Sequence, residues 1–600
     1  MNRAPGAAHE GLESGRLHPV DRPAGLGCMR LSTDPARDDA RGIATIHAAL
    51  DAGATLLDTA DVYATGAGDL HHNERLVARA LATWSGDRSR IVVVTKGGLV
   101  HDGARYAPDG RAMHLRAACE ASREALGVPS IDVYLLHAVD PRTPLETSVR
   151  ALESLRAAGL VRRIGLSNVT LTELDRARGM ADISVVEVAL GPFDDAALRG
   201  GLAERCAEHG ILLLAHSPLG GPGRRSRLAR DAPLASVGAR HGATAAQITI
   251  AWLRDLHHCI VPIPGARTPE AARAALEATR ITLTDADRAA LDARVPSASA
   301  LRAPRASRRP PDDAPGDVVV LMGIQGAGKS TVARELAADG YHRLNRDELG
   351  GRLRGLVPRL EKALESGAAR VVLDNTYATR VSRNEVIEAA WRHGVPARCV
   401  WLDTPTTIAQ ANVAQRMIEA TGRLLEPAEL VSAAKKDPSI VPPRALFRFR
   451  RELEPPSLEE GFRTIVIVPF ERRPLEGAER AATLVALDAI VTKGALDEPR
   501  IARLEPGRDL LFGWLPSTNE SIASRVRERG FEVVTCAHPA GPPVCWCRPP
   551  LPGLTVALTL RHGLDVGRST IVGTHAAHRA VAGAVGMRYA PADDYFMRTT

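Results

Sequence analysis

The sequence predicts a multidomain α/β protein that begins with a (β/α)8 barrel. A chain of 600 residues is too long for one ordinary hydrophobic core, so we expect roughly three or four domains. From about residue 20 to about residue 290, apolar β-type runs alternate with helical stretches. This alternation favours a parallel sheet, and eight such units would close it into a barrel.

Changes in composition predict the domain boundaries. We place the barrel at residues 1–291, a linker at 292–316, a second α/β domain at 317–475 and a third α/β domain at 476–600. The linker is rich in Pro, Ala, Arg and Ser and has no hydrophobic periodicity. The second domain opens on the β-run DVVVLMG, and the third contains TLVALDA, DLLFGWL, FEVVTC and STIVGT.

The composition argues against several classes of protein. The N-terminal segment MNRAPGAAHEGLESG has no apolar core, and no run of about 18 apolar residues occurs, so we expect a cytoplasmic protein that does not enter a membrane. The eight cysteines are mostly isolated, which does not indicate a disulfide framework. A net charge of +7 is too modest to indicate nucleic-acid binding by itself.

Lysine is rare, and its positions are informative. Only six of the 77 basic residues are lysine, and the first two are Lys96 and Lys329. A guanidinium group is bulkier than an ammonium group, is planar and never loses its proton. Retained lysines therefore predict sites where an ammonium group is specifically required.

Polar side chains in the first domain follow the β-runs. Asp58 and Tyr63 lie in LLDTADVY, Lys96 ends IVVVTK and His137 ends IDVYLLH. A barrel places its active site at the carboxyl ends of its strands. We therefore expect these four side chains to meet in one site.

A series of short motifs occurs in order along the same region: DTADVY, NE at 73–74, TKGG, LLH, GLSN, SPLGG and PIPGART. In this order and spacing they resemble the aldo-keto reductase family over nearly the whole of residues 20–290. The resemblance implies a TIM barrel that passes hydride from NADPH to a small carbonyl substrate.

The predicted chemistry uses the four residues together. A phenol with a pKa near 10 is a poor acid at pH 7, so we expect the ammonium of Lys96 to lower the pKa of Tyr63, the general acid. Asp58 is expected to hold Lys96. His137 is expected to orient the carbonyl and to stabilise the developing oxyanion.

The resemblance also implies the NADP(H)-binding residues. They are Ser167 and Asn168 at the nicotinamide amide, Ser217, Leu219 and Gly221 around the pyrophosphate, and Arg267 with Thr268 at the adenosine phosphate. Arg267 favours NADP over NAD. Two positions depart from the family pattern: Glu187 replaces a usual glutamine, and Ala274 and Ala275 replace a usual Glu-Asn pair.

The second domain contains the motif G-x-x-x-x-G-K-S between a β-run and a helical stretch, which predicts a P-loop NTPase α/β fold. Its backbone N–H groups would surround the phosphates of ATP, Lys329 would reach the β and γ oxygens, and Ser330 would hold Mg²⁺. The predicted ATP-binding residues in the loop are Gly323, Gly326, Gly328, Lys329, Ser330 and Thr331.

Further segments of the second domain, NRDELGG, VVLDNTYATRVSR, ANVAQR and FRRELEPPSLEEGFRTIVIVPF, resemble polynucleotide 5′-hydroxyl kinases over about 317–471. The resemblance implies that Asp347 is the base, that Asp374, Ser382 and Arg383 face the acceptor, and that Arg416 is a lid arginine at ATP. Asp374 could instead be a metal-binding residue of the Walker-B type. The phage member of this kinase family has an arginine at the position of Gly350. In this chain Arg352 or Arg354 could take the role of that arginine.

Four soft ligands lie close together in CAHPAGPPVCWC: Cys536, His538, Cys545 and Cys547. This donor set is typical of a structural Zn²⁺ site, with chance clustering as the alternative.

The segments after this cluster, CRPPLPG and GLDVGRSTIVGTHAAHRAVAGAVG, resemble zinc-containing phosphatases of the haloacid dehalogenase (HAD) family over about 483–590. The resemblance implies a HAD-like α/β fold with an inactive site, because Ala486 replaces the nucleophile and only Asp488 remains. The middle motif of the family is retained weakly as Ser517 or Thr518. Pro549 or Pro550 replaces the family's lysine, and Thr574 and His578 replace its Mg²⁺-binding acids.

Three hypotheses remain open from the sequence. The first is a carbonyl reductase fused to an ATP-dependent kinase of nucleic-acid 5′ ends, with an inactive phosphatase-like domain. In the second, the kinase acts on a sugar or another metabolite. In the third, the C-terminal half is a nucleotide-sensing or scaffolding module.

Overall fold

The computed structural model describes residues 24–102, 105–221, 223–302, 305–470, 478–514, 520–539, 541 and 544–597. The chain divides into two units, residues 1–308 and residues 309–600. Within the described ranges, no helix is long and apolar enough to cross a membrane.

The strands of the first unit form a parallel barrel. They are β1 (Gly25–Gly27), β2 (Leu56–Asp58), β3 (Val92–Gly97), β4 (Leu99–Asp102), β5 (Arg105–Pro108), β6 (Ile131–Leu136), β7 (Val161–Ser167), β8 (Ile183–Ala189), β9 (Leu212–His216) and β10 (Ile260–Pro262). Strands β4 and β5 form an antiparallel hairpin, and the others form an eight-stranded sheet in the order β1-β2-β3-β6-β7-β8-β9-β10. The Gly27 amide donates to the Pro264 carbonyl oxygen at 3.1 Å, just beyond β10, and so joins the first strand to the last. The predicted (β/α)8 barrel is confirmed.

Helices cover the outside of this barrel. They are α1 (Arg30–Thr33), α2 (Asp39–Asp51), α3 (His72–Thr83), α4 (Ala112–Leu126), α5 (Leu145–Ala157), α6 (Leu171–Arg178), α7 (Ala196–Arg199), α8 (Leu202–His209), α9 (Arg225–Ala229), α10 (Ala232–His241), α11 (Ala245–Leu256), α12 (Pro269–Glu277), α13 (Asp285–Arg294) and α14 (Arg305–Arg308). Capping boxes fix several starts, as in α6, where the Thr170 hydroxyl accepts from the Glu173 amide and the Glu173 carboxylate accepts from the Thr170 amide. Each long helix buries an apolar face against the sheet.

The first part of the predicted linker packs on the barrel. Helix α13 extends to Arg294, and a 3-10 helix spans Pro296–Leu301. Val295 and Ala298 are buried in the apolar cluster of the first unit. The division between the two units follows Arg308, inside the predicted linker.

The second unit begins with a parallel α/β layer. Its strands are β11 (Asp317–Gly323), β12 (His342–Asn345), β13 (Arg370–Asp374), β14 (Ala397–Asp403) and β15 (Ile465–Pro469). Its helices are α15 (Lys329–Ala338), α16 (Arg346–Leu349), α17 (Leu356–Glu365), α18 (Arg380–Arg392), α19 (Thr406–Thr421), α20 (Pro427–Lys436) and α21 (Pro443–Glu452). The sheet order β12-β13-β11-β14-β15 puts β11 at the centre, which confirms a P-loop-like α/β domain.

A second parallel sheet follows in the same unit. The strands are β16 (Thr483–Ala486), β17 (Val491–Thr492), β18 (Ala495–Leu496), β19 (Asp509–Trp514), β20 (Val533–Cys536), β21 (Thr570–Gly573) and β22 (Arg588–Pro591). The helices are α22 (Glu498–Ile501), α23 (Glu520–Arg527), α24 (Gly553–His562), α25 (Ala576–Val585) and α26 (Ala592–Met597). The sheet order is β20-β19-β16-β21-β22, and β17 pairs with β18 in a small hairpin.

The two sheets of the second unit share apolar cores. Trp546, from the segment between β20 and α24, lies in the same cluster as Val400 and Leu430 of the P-loop-like domain. Its indole N–H donates to the Val441 carbonyl oxygen at 2.9 Å. Helix α19 also packs against α24 and α25. The ranges predicted as a second and a third domain therefore pack as one unit.

Candidate functional sites

The four residues predicted to meet in the barrel do lie together. Asp58 ends β2, Lys96 lies in β3, Tyr63 is in the loop after β2, and His137 directly follows β6. The His137 amide donates to the Gly97 carbonyl oxygen at 2.9 Å, which fixes the two strand ends beside each other. The Tyr63 and His137 rings meet edge to face, with centroids 5.7 Å apart.

Lys96 is fully buried at the centre of this cluster. Its ammonium group donates to the Asp58 carboxylate and, at 3.0 Å, to the Thr59 carbonyl oxygen. It also lies 5.2 Å from the centre of the Tyr63 ring. A second carboxyl group, that of Glu187 on β8, approaches it with Oε2 at 3.2 Å from Nζ. The sequence did not indicate this contact, because it showed Glu187 only as a departure at a cofactor position.

The electrostatics of the cluster correct one expectation. Burial raises the pKa of Tyr63, and the positive charge of Lys96 only partly offsets this effect. Lys96 thus acts in the expected direction, but its effect does not outweigh burial, and the pKa of Tyr63 lies above its usual range. Burial also lowers the pKa of His137 well below 6.5, with the charge of Lys96 acting in the same direction, so the ring is neutral at pH 7.

The residues predicted at the nicotinamide amide form a hydrogen-bonded network. The Asn168 side-chain amide donates to the Ser167 hydroxyl and to the His137 carbonyl oxygen, both at 3.0 Å. His216 was not predicted, and its ring lies 3.2 Å from Asn168 Oδ1 and 3.2 Å from the Ser217 hydroxyl. The sequence could have indicated His216, because it lies at the end of β9, directly before the SPLGG motif. This network joins the catalytic side of the barrel to the predicted cofactor side.

The remaining predicted cofactor residues lie in loops that follow β9 and β10. Leu219 and Gly221 follow β9, and Gly221 has a φ of +72°, which favours glycine. Arg267 is 61% exposed and pairs with Asp34 at 2.7 Å. The Thr268 hydroxyl accepts from the Ala271 amide and caps α12. Arg267 thus lies beside a helix start, but a phosphate would have to compete with Asp34.

The glycine-rich loop of the second unit lies between β11 and α15. Gly326 and Gly328 have φ values of +86° and +87°. A Cβ atom on Gly326 would approach the Ala409 carbonyl oxygen to 2.7 Å, so no larger residue fits without movement. Lys329 donates to the carbonyl oxygens of Gly323 and Ile324, each at 2.8 Å, and so folds back over the loop. Burial lowers the pKa of Lys329 to about 8, and Arg416 acts in the same direction.

Ser330 and Thr331 are exposed in the first turn of α15. Asn412, on α19, donates to the Gly326 carbonyl oxygen at 2.8 Å. The sequence did not indicate this contact, which joins α19 to the loop.

The predicted acidic residues of the kinase site differ in their surroundings. Asp374 ends β13 and is buried, and its carboxylate accepts from Arg343 at 2.7 Å and from Asn345 at 2.8 Å. Asp347 is exposed on α16 and pairs with the neighbouring Arg346 at 2.5 Å. Both carboxylates raise the pKa of Lys329, so both act on the P-loop.

Two predicted acceptor residues have structural contacts instead. Arg383 is fully buried, and it donates to both Glu460 carboxylate oxygens at 2.7 Å and to the Tyr377 carbonyl oxygen at 3.0 Å. The Ser382 hydroxyl donates to the Thr379 carbonyl oxygen at 2.7 Å in the first turn of α18. The expectation that Arg383 faces the acceptor does not fit this position, because its guanidinium group is directed into the core.

The four predicted zinc ligands converge after β20. Their donor atoms lie within 4.8 Å of one another. Cys536 Sγ lies 3.8 Å from Cys545 Sγ, and His538 Nδ1 lies 3.2 Å from Cys547 Sγ. Four bonds of about 2.0–2.3 Å in a tetrahedron require separations of roughly this size. The His538 Nε2 atom contacts the Glu426 carboxylate at 2.7 Å, a second contact that would orient a ligating imidazole.

The positions predicted to lack phosphatase chemistry lie at the carboxyl ends of β16 and β21. Ala486 is fully buried at the end of β16. Asp488 accepts from the Thr574 hydroxyl at 3.2 Å and lies 2.9 Å from His575 Nε2. His578 is buried nearby, with Nε2 3.7 Å from Asp488. Ser517 and Thr518 lie outside the described residues.

Comparison with protein families identifies two domains. Residues 23–295 match the profile of the Aldo/keto reductase family, and residues 318–456 match the profile of an AAA domain. The chain therefore contains an aldo-keto reductase domain followed by a P-loop-like domain.

Several solved structures are similar to 45% of this chain. The glycerol dehydrogenase AKR11B4 from Gluconobacter oxydans is 25% identical, with 90% of that chain covered and a TM-score of 0.40. An aldo-keto reductase from Klebsiella pneumoniae in complex with NADPH is 29% identical, with 89% of that chain covered and a TM-score of 0.39. A thermostable aldo-keto reductase in complex with epalrestat is also 29% identical, with 94% covered and a TM-score of 0.39.

Proposed function

We propose that the first unit is an NADPH-dependent reductase of small aldehydes or ketones. The buried cluster of Asp58, Lys96, Tyr63 and His137 at the carboxyl ends of the barrel strands carries this proposal. It combines a phenol, a fixed positive charge and a neutral imidazole in one site. The match of residues 23–295 to the Aldo/keto reductase family supports the same reaction.

In this reaction the carbonyl carbon gains a hydride, and its oxygen gains a proton. NADPH, when bound, supplies the hydride. Tyr63 gives its phenolic proton to the oxygen and later regains a proton from water. His137 Nδ1 is buried with no hydrogen-bond partner among the described residues, and the neutral ring supplies a hydrogen bond that orients the carbonyl. Lys96 supplies positive charge beside the phenol as the proton leaves.

The residues on the cofactor side fit NADPH. Ser167, Asn168 and Ser217 present polar groups beside the catalytic cluster, and the exposed Arg267 offers a cation for the adenosine phosphate. If the adenosine phosphate took the place of the Asp34 carboxylate at Arg267, the guanidinium group would still have an anionic partner.

Oxidation of NADPH by the full-length protein with a panel of reactive aldehydes and ketones tests this proposal. Tyr63→Phe removes the proton donor, so we expect kcat to fall by roughly 10²–10⁴-fold. Tyr106→Phe is the matched control, because Tyr106 is exposed on β5. Turnover that persists in Tyr63→Phe would contradict the assignment.

For the P-loop-like domain, we propose an ATP-dependent kinase that phosphorylates 5′-hydroxyl ends of nucleic acid. The arrangement of Lys329, Asp374 and Asp347 around the loop supports transfer of the γ-phosphate, with Ser330 placed to hold Mg²⁺ and Asp347 exposed as the base. Arg416 on α19 adds positive charge at Lys329.

Helix α21 favours a nucleic-acid acceptor over a sugar. Arg444, Phe447, Arg448 and Arg451 follow the i, i+3, i+4, i+7 spacing and form one exposed stripe, which we call the α21 stripe. Within the described residues, the three arginine side chains have no ion pair or hydrogen bond. Just beyond α21, the Glu454 amide donates to the Ala378 carbonyl oxygen at 2.9 Å, in the loop that follows Asp374. Cations together with one aromatic ring on an exposed face are suited to a single strand of nucleic acid.

Transfer of labelled γ-phosphate from ATP to a 5′-hydroxyl oligonucleotide tests the kinase. We expect Lys329→Ala and Asp347→Ala to abolish transfer, with Lys362→Ala on α17 as the control. Labelling of a sugar but of no oligonucleotide would replace this proposal with a metabolite kinase. Binding of ATP without transfer to either acceptor would replace it with a nucleotide-sensing module.

We propose that the C-terminal sheet is an inactive HAD-like phosphatase domain that holds a structural Zn²⁺. The buried methyl group of Ala486 replaces a nucleophile, and the thiol and imidazole donors after β20 fit the metal. None of the eight cysteines, all of which the structure describes, forms a disulfide, and we propose a reducing compartment such as the cytoplasm. Metal analysis of the purified chain should give about one zinc per molecule.

A further inference from the structure

A second buried carboxyl group faces the ammonium of Lys96. Glu187 projects from β8 and is 2% exposed, and Asp58 is 3% exposed. The Lys96 ammonium directs protons to Asp58 and to the Thr59 carbonyl oxygen. Glu187 Oε2 lies 3.2 Å from the same nitrogen but makes no hydrogen bond among the described residues. Lys96 therefore gives Asp58 a hydrogen bond, whereas it gives Glu187 only a nearby positive charge.

The charges of this group do not balance if both acids are ionised. One ammonium and two carboxylates would leave a net negative charge inside the barrel, and an uncompensated buried charge is costly. One of the two acids therefore retains its proton. Because Asp58 receives the direct hydrogen bond from Lys96, Glu187 is the acid that stays neutral.

The electrostatics of Glu187 agree with this conclusion. Burial raises the pKa of Glu187 to about 8, the negative charge of Asp58 acts in the same direction, and Lys96 opposes both. Burial also raises the pKa of Asp58, but the charge of Lys96 and its hydrogen bond lower it, so the hydrogen bond favours the ionised form of Asp58.

We infer that Glu187 is a positioning residue that holds a proton at neutral pH, and that loss of this proton sets the alkaline limit of proton donation by Tyr63. This inference rests on the reductase activity proposed above.

The link to Tyr63 is electrostatic. The negative charge of an ionised Glu187 raises the pKa of Tyr63, so the phenol becomes a weaker acid when Glu187 loses its proton. The ionised carboxylate also attracts the Lys96 ammonium away from its contacts with Asp58 and Thr59. Both effects slow the protonation of the carbonyl oxygen.

The other titratable groups that interact electrostatically with Lys96 or Asp58 are Cys28, Asp61, Tyr63, His137 and His216. Burial raises the pKa of the Cys28 thiol and of the Asp61 carboxyl group above their usual values. Burial keeps both histidines neutral: it lowers the pKa of His137 well below 6.5 and that of His216 to about 4. Burial raises the pKa of Tyr63 above its usual range. Because Asp58 and Asp61 are also buried acids with raised pKa values, the Glu187→Gln variant is needed to assign an alkaline change to Glu187.

The kinetic test is the pH dependence of carbonyl reduction by the full-length protein. In the unmodified protein, kcat should be constant at neutral pH and fall about tenfold per pH unit above an inflection near 8. Glu187→Gln keeps the size of the side chain but cannot ionise, so the inflection should move to higher pH. Glu74→Gln is the matched control, because Glu74 is a buried carboxylate that contacts Thr95 and His71 rather than Lys96. An inflection that stays near 8 in Glu187→Gln would overturn the inference.

An infrared titration tests the proton without any turnover. The carbonyl stretch of a protonated carboxyl group should disappear with an inflection near pH 8 in the unmodified protein and in Glu74→Gln. The same change should be missing from Glu187→Gln. If this change is found but no carbonyl is reduced, the proposed reductase function fails and the neutral Glu187 stands. If the unmodified protein lacks the change, Glu187 is not the proton carrier.

Discussion

At Lys96, one buried ammonium group serves Asp58, the Thr59 carbonyl oxygen and Glu187. Its short contacts explain why this position keeps lysine in a chain whose other cations are almost all arginine. A guanidinium group would need more donors satisfied and more space than a fully buried site offers. Lys329 is comparable, since its compact ammonium folds onto the carbonyl oxygens of its own loop.

Arg383 gives a prediction about stability. Arg383→Met would leave the buried Glu460 carboxylate without its guanidinium partner, so we expect the free energy of unfolding of the second unit to fall by about 3–5 kcal/mol. Urea denaturation followed by tryptophan fluorescence measures this loss. Arg392→Met is the control on the same helix, because its exposed pair with Glu361 contributes about 0–1 kcal/mol. If Arg383→Met is as stable as the unmodified protein and loses only acceptor binding, Arg383 faces the acceptor after all.

The sequence was sufficient to predict residues that follow strands directly. Asp58, Lys96 and His137 are placed by the strands that they end or follow, and the strand pattern is local information. The contact of Glu187 with Lys96 could not be predicted, because it depends on how a closed barrel directs side chains from strands 91 positions apart. The burial of Arg383 was missed for a similar reason, since its partner Glu460 lies in a distant 3-10 helix.

At the scale of elements, helix α21 separates an apolar face from a basic one. Leu446 and Phe449 are buried, while the α21 stripe (Arg444, Phe447, Arg448 and Arg451) is exposed. The sequence showed the arginines, but only the packed helix shows that they share one exposed face. This face is the observation behind the proposed nucleic-acid acceptor.

The salt dependence of binding tests the α21 stripe. Each phosphate neutralised on a single strand contributes about −0.7 to the slope of log K against log salt concentration, so Arg444→Ala/Arg448→Ala/Arg451→Ala should reduce the slope by about 2. Fluorescence anisotropy of a labelled 5′-hydroxyl oligonucleotide measures this change. The control is Arg525→Ala/Arg527→Ala/Arg529→Ala, because these arginines pair with Glu498 or Glu520. An equal slope for both triple variants would contradict the proposed nucleic-acid surface.

At the scale of the whole molecule, the alternation of β-runs and helices was enough to predict the barrel, in which consecutive strands of the parallel sheet pair with each other. In the P-loop-like sheet β11 lies between β13 and β14, so strand order is not local information and the glycine-rich motif was the signal for this fold. The packing between the last two sheets was not predictable, because Trp546 lies within a segment that reads as a metal site. Its indole lies in the core of the P-loop-like domain, so the predicted zinc ligands and helix α19 belong to one unit.

In the proposed reductase reaction, hydride passes from NADPH to a carbonyl carbon while Tyr63 supplies the proton. The most direct measurement uses NADPH with deuterium at both C4 positions, the full-length protein and a reactive aldehyde, with mass spectrometry of the alcohol. We expect the alcohol to carry deuterium on the former carbonyl carbon, and we expect Tyr63→Phe to form little of it while Tyr106→Phe forms it normally. An alcohol without deuterium, or equal formation by Tyr63→Phe, would contradict this reaction.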